Sequence, residues 1–337
     1  MDKPLKVICV GSPIIDRLAH VDENALDRLG GNKGGMQLVK TDEMTSLMER
    51  LQAPVAVSPG GSAANTAFGL ARLDVPAAIL GKVGDDGQGR FYRRTFEQTG
   101  GDSRRIKKCR QSATASCLCL ITPDSERTMR TDLGAAAGLQ PAEVSAGDFA
   151  GCHHAHVEGY LLFNPALASA VLSAAREAGC TVSLDLGSYE VVDANLDTLP
   201  GLLSEYVDLV MANEDEAAAF CRTGDPMAGL DKLSEHVQLA AVKLGARGAQ
   251  LKRGGRSTFI PAFPVGDPVD ATGAGDFWAA GFLYGRLAGY SPATCGRFGA
   301  ALGAEAVRHV GASLPLEAWE RVADRFADIK CHADATI

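Results

Sequence analysis

Short apolar runs and longer stretches with helical spacing alternate along most of the chain. Residues 5–10 are apolar except for Lys6 and end at Gly11, which predicts a buried strand that leads into a loop. Comparable runs occur at 79–83, 153–157, 181–186, 207–211 and 239–244. Such alternation predicts an α/β fold with a central, mostly parallel sheet and helices on both of its faces.

Two segments, at about 16–40 and 112–134, do not follow this alternation. The second contains strand-like runs at 113–121 and 127–133, separated by a Pro-Asp turn. We expect the two segments to pair as a small discontinuous sheet outside the main one, where they would form a β lid. Without an internal repeat or a linker, the chain 1–337 is predicted to be one domain that carries this lid.

The composition excludes several classes of function. Apolar residues make up 46% of the chain and charged residues 22%, as in ordinary globular proteins. A net charge of −8 gives no basic footprint for nucleic acid, and no apolar run approaches the roughly 20 residues that span a bilayer. The nine cysteines are scattered without a Cys-x-x-Cys pair and no secretory signal is evident, so we expect reduced thiols and a cytoplasmic location.

The stretch 269–282 carries the strongest candidate chemistry. Gly273 and Gly275 allow a tight turn, and the apolar run after Asp276 predicts a buried helix. The first turn of a helix presents free N–H groups that bind anions, and Asp276 could accept a proton from a hydroxyl group there. This combination suits phosphoryl transfer to an alcohol. From these residues alone, a carboxylate that only complements the helix dipole is an equally good interpretation.

A second glycine pair precedes another predicted helix. Gly60 and Gly61 are followed by Ser62, which we expect to cap the helix, and by Asn65 in its first turn. Asparagine is a poor helix former, and its amide offers both a donor and an acceptor to a ligand.

Two further turns follow predicted strands. The acidic run 213–216 precedes a helix, where it either complements the dipole or holds Mg²⁺ through water. Gly245 and Gly248 form a tight turn at the carboxyl side of a sheet, where open α/β sheets bind ligands. The histidines at 153, 154 and 156 have no carboxylate or cysteine at ligand spacing, which favours a structural role over a metal site.

Together these motifs resemble the ribokinase, or PfkB, family of carbohydrate and nucleoside kinases. The stretches 59–67 and 81–89 match the family's N-terminal signature, and 270–276 matches its C-terminal signature. Asn213-x-x-Glu216 fits another family element, and 11–16 fits the substrate carboxylate at the end of the first strand. The resemblance covers nearly the whole chain and implies a ribokinase-like fold and an ATP-dependent, Mg²⁺-dependent kinase.

The resemblance also implies residue roles. Asp276 would deprotonate the acceptor hydroxyl, and Arg127 would reach the phosphates from the lid unless it is an exposed strand arginine. The implied anion hole comprises the N–H groups of Gly273, Ala274, Gly275 and Asp276. The substrate contacts would be Ser12, Asp16, Gly60, Gly61, Asn65 and Tyr160. The nucleotide contacts would be Asn213, Glu216, Lys243, Gly245, Gly248 and Thr272. Glu216 would hold Mg²⁺ through water, and a monovalent cation site, for K⁺, would comprise Asp270, Thr272 and Gly311.

The substrate is less sharply implied. Gly11-x-Pro13-x-x-Asp16 and the stretch 127–134 most resemble the adenosine-kinase branch, which implies a ribonucleoside phosphorylated at its 5′ hydroxyl. That branch commonly has Asn where this chain has Ser12, and Ala271 replaces a frequent Thr. The alternative is a sugar kinase that acts on ribose, fructose or a sugar phosphate. The expected partner is a small sugar or nucleoside, and the chain would be a monomer or a homodimer.

Other functions meet specific objections. A nicotinamide-dependent dehydrogenase needs Gly-x-Gly-x-x-Gly after the first strand, where residues 11–13 are Gly-Ser-Pro. A Walker-type kinase needs Gly-x-x-x-x-Gly-Lys-Ser/Thr, which does not occur. A non-catalytic sugar or nucleotide sensor on the same fold would be expected to lack the base, and Asp276 is present.

Overall fold

The computed structural model describes residues 5–333 except 30–32, 34, 52, 125 and 126. The strands are β1 (Val7–Val10), β2 (Ile14–His20), β3 (Met36–Leu38), β4 (Ala56–Gly60), β5 (Ala77–Gly84), β6 (Ile106–Cys109), β7 (Ala115–Ile121), β8 (Arg127–Asp132), β9 (His154–Glu158), β10 (Thr181–Asp185), β11 (Leu209–Asn213), β12 (Leu239–Lys243), β13 (Ala249–Arg253) and β14 (Arg256–Ile260). The helices are α1 (Glu23–Leu29), α2 (Thr41–Arg50), α3 (Ser62–Arg72), α4 (Gly87–Gln98), α5 (Ala146–Phe149), α6 (Pro165–Glu177), α7 (Tyr189–Asn195), α8 (Leu199–Tyr206), α9 (Glu214–Cys221), α10 (Pro226–Leu233), α11 (Ala274–Leu287), α12 (Pro292–Ala306) and α13 (Leu316–Cys331).

Within these residues, nine strands form the main sheet in the order β14-β13-β12-β11-β10-β9-β1-β5-β6. The seven strands from β12 to β6 are parallel, and the hairpin β13–β14 adds two antiparallel strands at one edge. The central strands are short apolar runs because both of their faces are covered. The predicted α/β architecture is confirmed.

Helices cover both faces of this sheet. In β1, Val7 and Cys9 belong to the core formed with α3, α4 and α11–α13, whereas Ile8 and Val10 belong to the core formed with α5–α10. This alternation follows from the two-residue period of a strand. Among the described helices, none combines the length and the apolar character that crossing a membrane requires.

A second sheet has the strand order β3-β8-β7-β2-β4 within the described residues. Strands from the two segments at 16–40 and 112–134 meet in it, because β2 pairs in parallel with β7. Residues 30–32, 34, 125 and 126 of those segments lie outside the described residues. Neither strand β4 nor helix α1 was predicted from the sequence.

Helices α1 and α2 cover one face of the second sheet. Leu26 and Leu29 of α1, with Met44 and Leu47 of α2, form an apolar cluster with side chains of β2 and β7, including Leu118. The opposite face, which carries Asp16, is left for the cleft between the two sheets. Each of these buried side chains contributes roughly 1.5–3 kcal/mol, so the two helices are firmly attached.

Two buried histidines in β9 have structural hydrogen bonds. The His154 ring nitrogens lie 2.8 Å from the hydroxyls of Thr181 and Ser183, and Nδ1 of His156 lies 2.8 Å from the Ser183 hydroxyl. Burial lowers the pKa of His156 to about 4 and the pKa of His154 well below its usual value. Both rings are therefore neutral near pH 7, and neutral rings suit a packed sheet.

We expect His156 to make the folded state less stable as the pH falls from 6.5 towards 4. The unfolded chain binds a proton near pH 6.5 that the folded chain accepts only near pH 4, so unfolding takes up protons in this window. Between pH 6.5 and 5, the free energy of unfolding of the wild type should fall by about 2 kcal/mol more than that of His156→Gln. Urea unfolding of both proteins at each pH measures this difference in stability. Buried carboxyl groups have the opposite pH dependence, but they are present in both proteins, so their contribution cancels in the comparison. The exposed His332→Gln is the control, and an unchanged difference across the window would contradict the assignment.

Candidate active site

The loop after β1 and the start of α3 are joined by a buried carboxylate. Glu158, at the end of β9 and 2% exposed, accepts hydrogen bonds from the N–H groups of Ser12 at 2.8 Å and Ala63 at 3.1 Å. A side chain at Gly11 would overlap this carboxylate. Glu158 was not predicted as a site residue, although its place before a glycine at a strand end was a usable signal.

The predicted substrate residues of the two sheets lie together beside Glu158. The carboxylate of Asp16 on β2 packs against Gly60, where a Cβ would overlap it. Gly61 has a φ of 102°, and a Cβ there would overlap the carbonyl oxygen of Ser12. Burial raises the pKa of Asp16 to about 6, while the nearby positive charge of Arg127 lowers it. Only glycine satisfies both the conformation and the space at position 61.

Asp276 lies where the first turns of α3 and α11 meet. Its carboxylate accepts hydrogen bonds from the Ser62 hydroxyl and from Nδ2 of Asn65, each at 2.8 Å. Burial raises the pKa of Asp276 to about 7, and these two hydrogen bonds lower it. Gly273, with a φ of 73°, occupies the N-cap of α11 without a side-chain hydrogen bond to the first turn. Within the predicted anion hole, the Ala274 N–H donates to the Ala271 carbonyl at 3.1 Å and is therefore already used. The start of α11 and the Asp276 carboxylate thus lie side by side.

Ser62 does not cap α3 as we expected. The N-cap position is Gly61, and no side chain caps this helix. Because α3 begins at Ser62 itself, this residue does not occupy the capping position, and its hydroxyl donates to the carboxylate of Asp276. Asn65, predicted as a substrate contact, donates to Asp276 as well.

A second group of charges lies at the ends of β10, β11 and β12. Nζ of Lys243 is 2.7 Å from Asp185, a residue that the sequence analysis missed. Asn213 and Glu216 form a reciprocal capping box at the start of α9, with Asn213 donating two hydrogen bonds of 2.8 Å and Glu216 N–H donating one of 2.9 Å. Burial, then the charge of Asp185, raises the pKa of Glu216 to about 7. Two carboxylates, those of Asp185 and Glu216, therefore lie near the one charged lysine, Lys243.

A cavity of about 750 Å³ connects these groups. Its polar lining includes Asp276, Lys243 and Glu216, and the turn of Gly245 and Gly248 also lines it. Its apolar lining comprises Phe263, Val265, Ala300, Ala304 and Val307. Tyr160, which we predicted at the substrate, lies on this cavity and donates a 3.2 Å hydrogen bond to the Gly187 carbonyl. The lining of this cavity therefore combines charged and polar groups with apolar side chains.

Arg127 reaches from the second sheet to the loop before α11. Its guanidinium lies 2.8 Å from Asp270 and also contacts the Thr272 hydroxyl. The Asp270 carboxylate further accepts the N–H groups of Thr272 at 2.9 Å and Gly311 at 2.6 Å. Since its side chain is 16% exposed, Arg127 is not an exposed strand arginine. The three residues predicted for a monovalent cation thus lie together.

Proteins of known sequence and structure identify the family. The family model for pfkB family carbohydrate kinases matches residues 36–319. An ATP-dependent ribose-1-phosphate kinase of Halopiger xanaduensis is 34% identical over 226 residues, which are 67% of this chain and 72% of that protein. Adenosine kinase from Sinorhizobium meliloti has a TM-score of 0.85 at 32% identity, covering 97% of this chain and 100% of that one. A probable sugar kinase from Rhizobium etli has a TM-score of 0.86 at 29% identity, covering 98% and 100%. The chain therefore belongs to the pfkB family of carbohydrate kinases and is a phosphotransferase that acts on a sugar or nucleoside hydroxyl group.

Proposed function

We propose that the protein transfers the terminal phosphoryl group of ATP to the 5′ hydroxyl of a ribonucleoside such as adenosine. The second sheet acts as a lid over the nucleoside in this proposal. The family membership supports the kinase reaction. The nucleoside is supported by one observation, the apolar face that the second sheet turns towards the cleft.

The composition of that face follows from the strand register. Directly paired residues of neighbouring strands lie on the same face of a sheet. One row of such pairs begins at Asp16 on β2 and continues across β7, β8 and β3. This row and the next on the same face contain Cys117, Cys119, Met129, Thr131, Met36 and Leu38. Met36 and Leu38 are 53% and 58% exposed. Beyond Asp16, the face therefore presents mostly sulfur and aliphatic side chains.

A nucleobase fits such a face better than a free sugar or a sugar phosphate does. A free sugar carries hydroxyls on every side, which would lose hydrogen bonds to water against apolar side chains. A second phosphate would need a cation, and Arg127 on this face is already paired with Asp270. The planar faces of a base instead gain from contact with methionine and leucine. The sugar-phosphate alternative retains the support of the ribose-1-phosphate kinase that is 34% identical.

In the proposed mechanism, Asp16 holds ribose hydroxyls while Asp276 faces the attacking hydroxyl. Asp276 accepts the proton that this hydroxyl loses, and Asn65 and Ser62 keep the carboxylate oriented. The N–H groups of Gly273, Gly275 and Asp276 stabilise the charge that develops on the transferred group, whereas the Ala274 N–H already donates to Ala271. Lys243 pairs with Asp185 at the phosphate end.

Mg²⁺ fits the carboxylates at this end. Asp185, Glu216 and Asp276 are buried or half-buried acids near one lysine. Burial and then the negative charge of Asp185 raise the pKa of Glu216 to about 7, and a bound cation would offset that repulsion. Glu216 and Asp185 would hold a hydrated Mg²⁺, which neutralises phosphate charge when bound.

The residues around Asp270 do not fit a monovalent cation. Both carboxylate oxygens accept backbone N–H groups, and one is paired with Arg127. A K⁺ ion needs oxygen ligands and would be repelled by the guanidinium. We therefore assign no step to such an ion.

The substrate assignment predicts that adenosine is phosphorylated with a kcat/KM about 10²-fold higher than ribose. Burial of roughly 100 Å² of nucleobase surface against the lid provides about 2.5 kcal/mol. ADP release across adenosine, other ribonucleosides, ribose, fructose and ribose 1-phosphate measures the preference.

The variants Leu38→Ser and Gln37→Ser separate the two faces of β3. Leu38→Ser should lower turnover of adenosine without lowering that of ribose, and Gln37→Ser, on the opposite face, should change neither. Inactivity on every nucleoside beside brisk turnover of a sugar or a sugar phosphate would move the assignment to a sugar kinase.

A further inference from the structure

Helix α12, which contributes to the apolar lining of the cavity, also carries a buried carboxylate that the proposed mechanism does not use. Glu305, near the end of α12, is fully buried and is surrounded by cationic side chains. Arg321 of α13 donates to it at 3.0 and 2.6 Å, and Arg325 of α13 donates at 3.3 Å. Nε2 of His309 lies 3.2 Å from the same carboxylate. Glu305 therefore ties α13 to α12, and α12 lines the cavity with Ala300 and Ala304.

Within the part of the chain that the structure describes, Arg325 has a second contact that Arg321 lacks. Its guanidinium carbon lies over the ring of Phe263, 5.9 Å from the ring centroid. Phe263 lines the cavity, whereas Arg325 is not among the described lining residues. Phe263 lies in the connection between β14 and α11, which has no helix or strand of its own. Side-chain contacts, and not a backbone ladder, must therefore orient this ring.

We propose that Arg325, held by Glu305, is a positioning residue for the nucleotide. Arg325 fixes the orientation of the Phe263 ring, and the planar base of the nucleoside triphosphate packs against this ring. Aromatic rings bind flat heterocycles by stacking or edge contacts, and a guanidinium over a ring restricts the ring's orientation. The inference rests on the proposed function in taking this cavity as the nucleotide site.

Arg321 and Arg325 form a matched pair, since both reach Glu305 from successive turns of α13. If the arginines only fasten α13, Arg321→Met should have the larger effect in every measurement, because its contacts with Glu305 are shorter and more numerous. If Arg325 orients Phe263, nucleotide affinity should respond mainly to Arg325→Met. The two variants therefore separate a positioning role from a structural one.

The experiment uses the whole chain and measures the binding of ADP and of inorganic tripolyphosphate by calorimetry. The KM for ATP and the melting temperature are measured on the same variants. We expect Arg325→Met to weaken ADP binding and raise KM for ATP roughly fivefold, with tripolyphosphate binding unchanged because it has no base. Arg321→Met should lower the melting temperature more and change ADP binding by less than about twofold. Arg325→Lys, which keeps the charge and most of the stem, should give an intermediate ADP affinity and serves if Arg325→Met does not fold.

Equal weakening of ADP binding by both arginine variants, or equal weakening of tripolyphosphate binding by Arg325→Met, would overturn the positioning role. So would wild-type ADP affinity in Arg325→Met or Arg325→Lys. A wild-type protein that binds neither ADP nor tripolyphosphate would overturn the proposed function itself, and this is seen before any variant is made.

Discussion

Replacement of Asp276 by asparagine is expected to lower kcat by about 10²–10⁴-fold. Asparagine keeps the shape of the side chain but cannot accept the proton that the attacking hydroxyl must lose. Substrate binding should change little, since Ser62 and Asn65 still hold the side chain in place. Steady-state kinetics with saturating ATP measure the loss, and its appearance in kcat with little change in KM identifies a transition-state role.

The pH dependence gives an independent readout of the same group. Burial raises the pKa of Asp276 to about 7, so the carboxyl is protonated and inactive as a base below that pH. In the free enzyme, kcat/KM should therefore rise as the pH increases through 7, and the asparagine variant should lack this rise.

A helix-dipole role for Asp276 makes a different prediction. Glu317 is also an acidic residue in a first helical turn, at the exposed start of α13, and Glu317→Gln provides the control. If both substitutions cost only a few tenths of a kcal/mol in stability and leave kcat near the wild-type value, Asp276 is a dipole partner and not the base.

Asp16→Ala is expected to raise KM for the nucleoside by about 10² or more. Hydrogen bonds to a charged acceptor contribute about 1.5–3 kcal/mol each, and a carboxylate can accept two from ribose hydroxyls. These bonds exist before the transition state, so kcat should fall less than kcat/KM, and only as positioning is lost. Initial rates over a wide range of nucleoside concentrations separate the two effects.

Asp22→Ala is the matched control for Asp16→Ala. Asp22 follows β2, is exposed, and accepts the Ala25 N–H at 2.6 Å at the start of α1. Its loss should cost about 1 kcal/mol of stability without a change in KM. A KM that is equally insensitive to both substitutions would remove Asp16 from the substrate site.

The main sheet could be predicted from the sequence because buried parallel strands are continuous apolar runs. β1, β11 and β12 are mainly apolar runs of this kind. Strand β4 could not be predicted in this way. Its sequence AVSPG contains both proline and glycine, and its pairing with β2 is what makes it a strand.

The turn around Asp276 could also be recognised from the sequence, because its glycines and the helix that follows are neighbours in the chain. The hydrogen-bond partners of Asp276 could not be recognised from the sequence, because Ser62 and Asn65 lie more than 200 residues away in the chain. Ser62 shows the reason most clearly. Local sequence predicts that Ser62 caps a helix by accepting an N–H group, but α3 begins at Ser62 with Gly61 at its N-cap. The fold then brings the Asp276 carboxylate within 2.8 Å of the Ser62 hydroxyl, which donates a hydrogen bond to it.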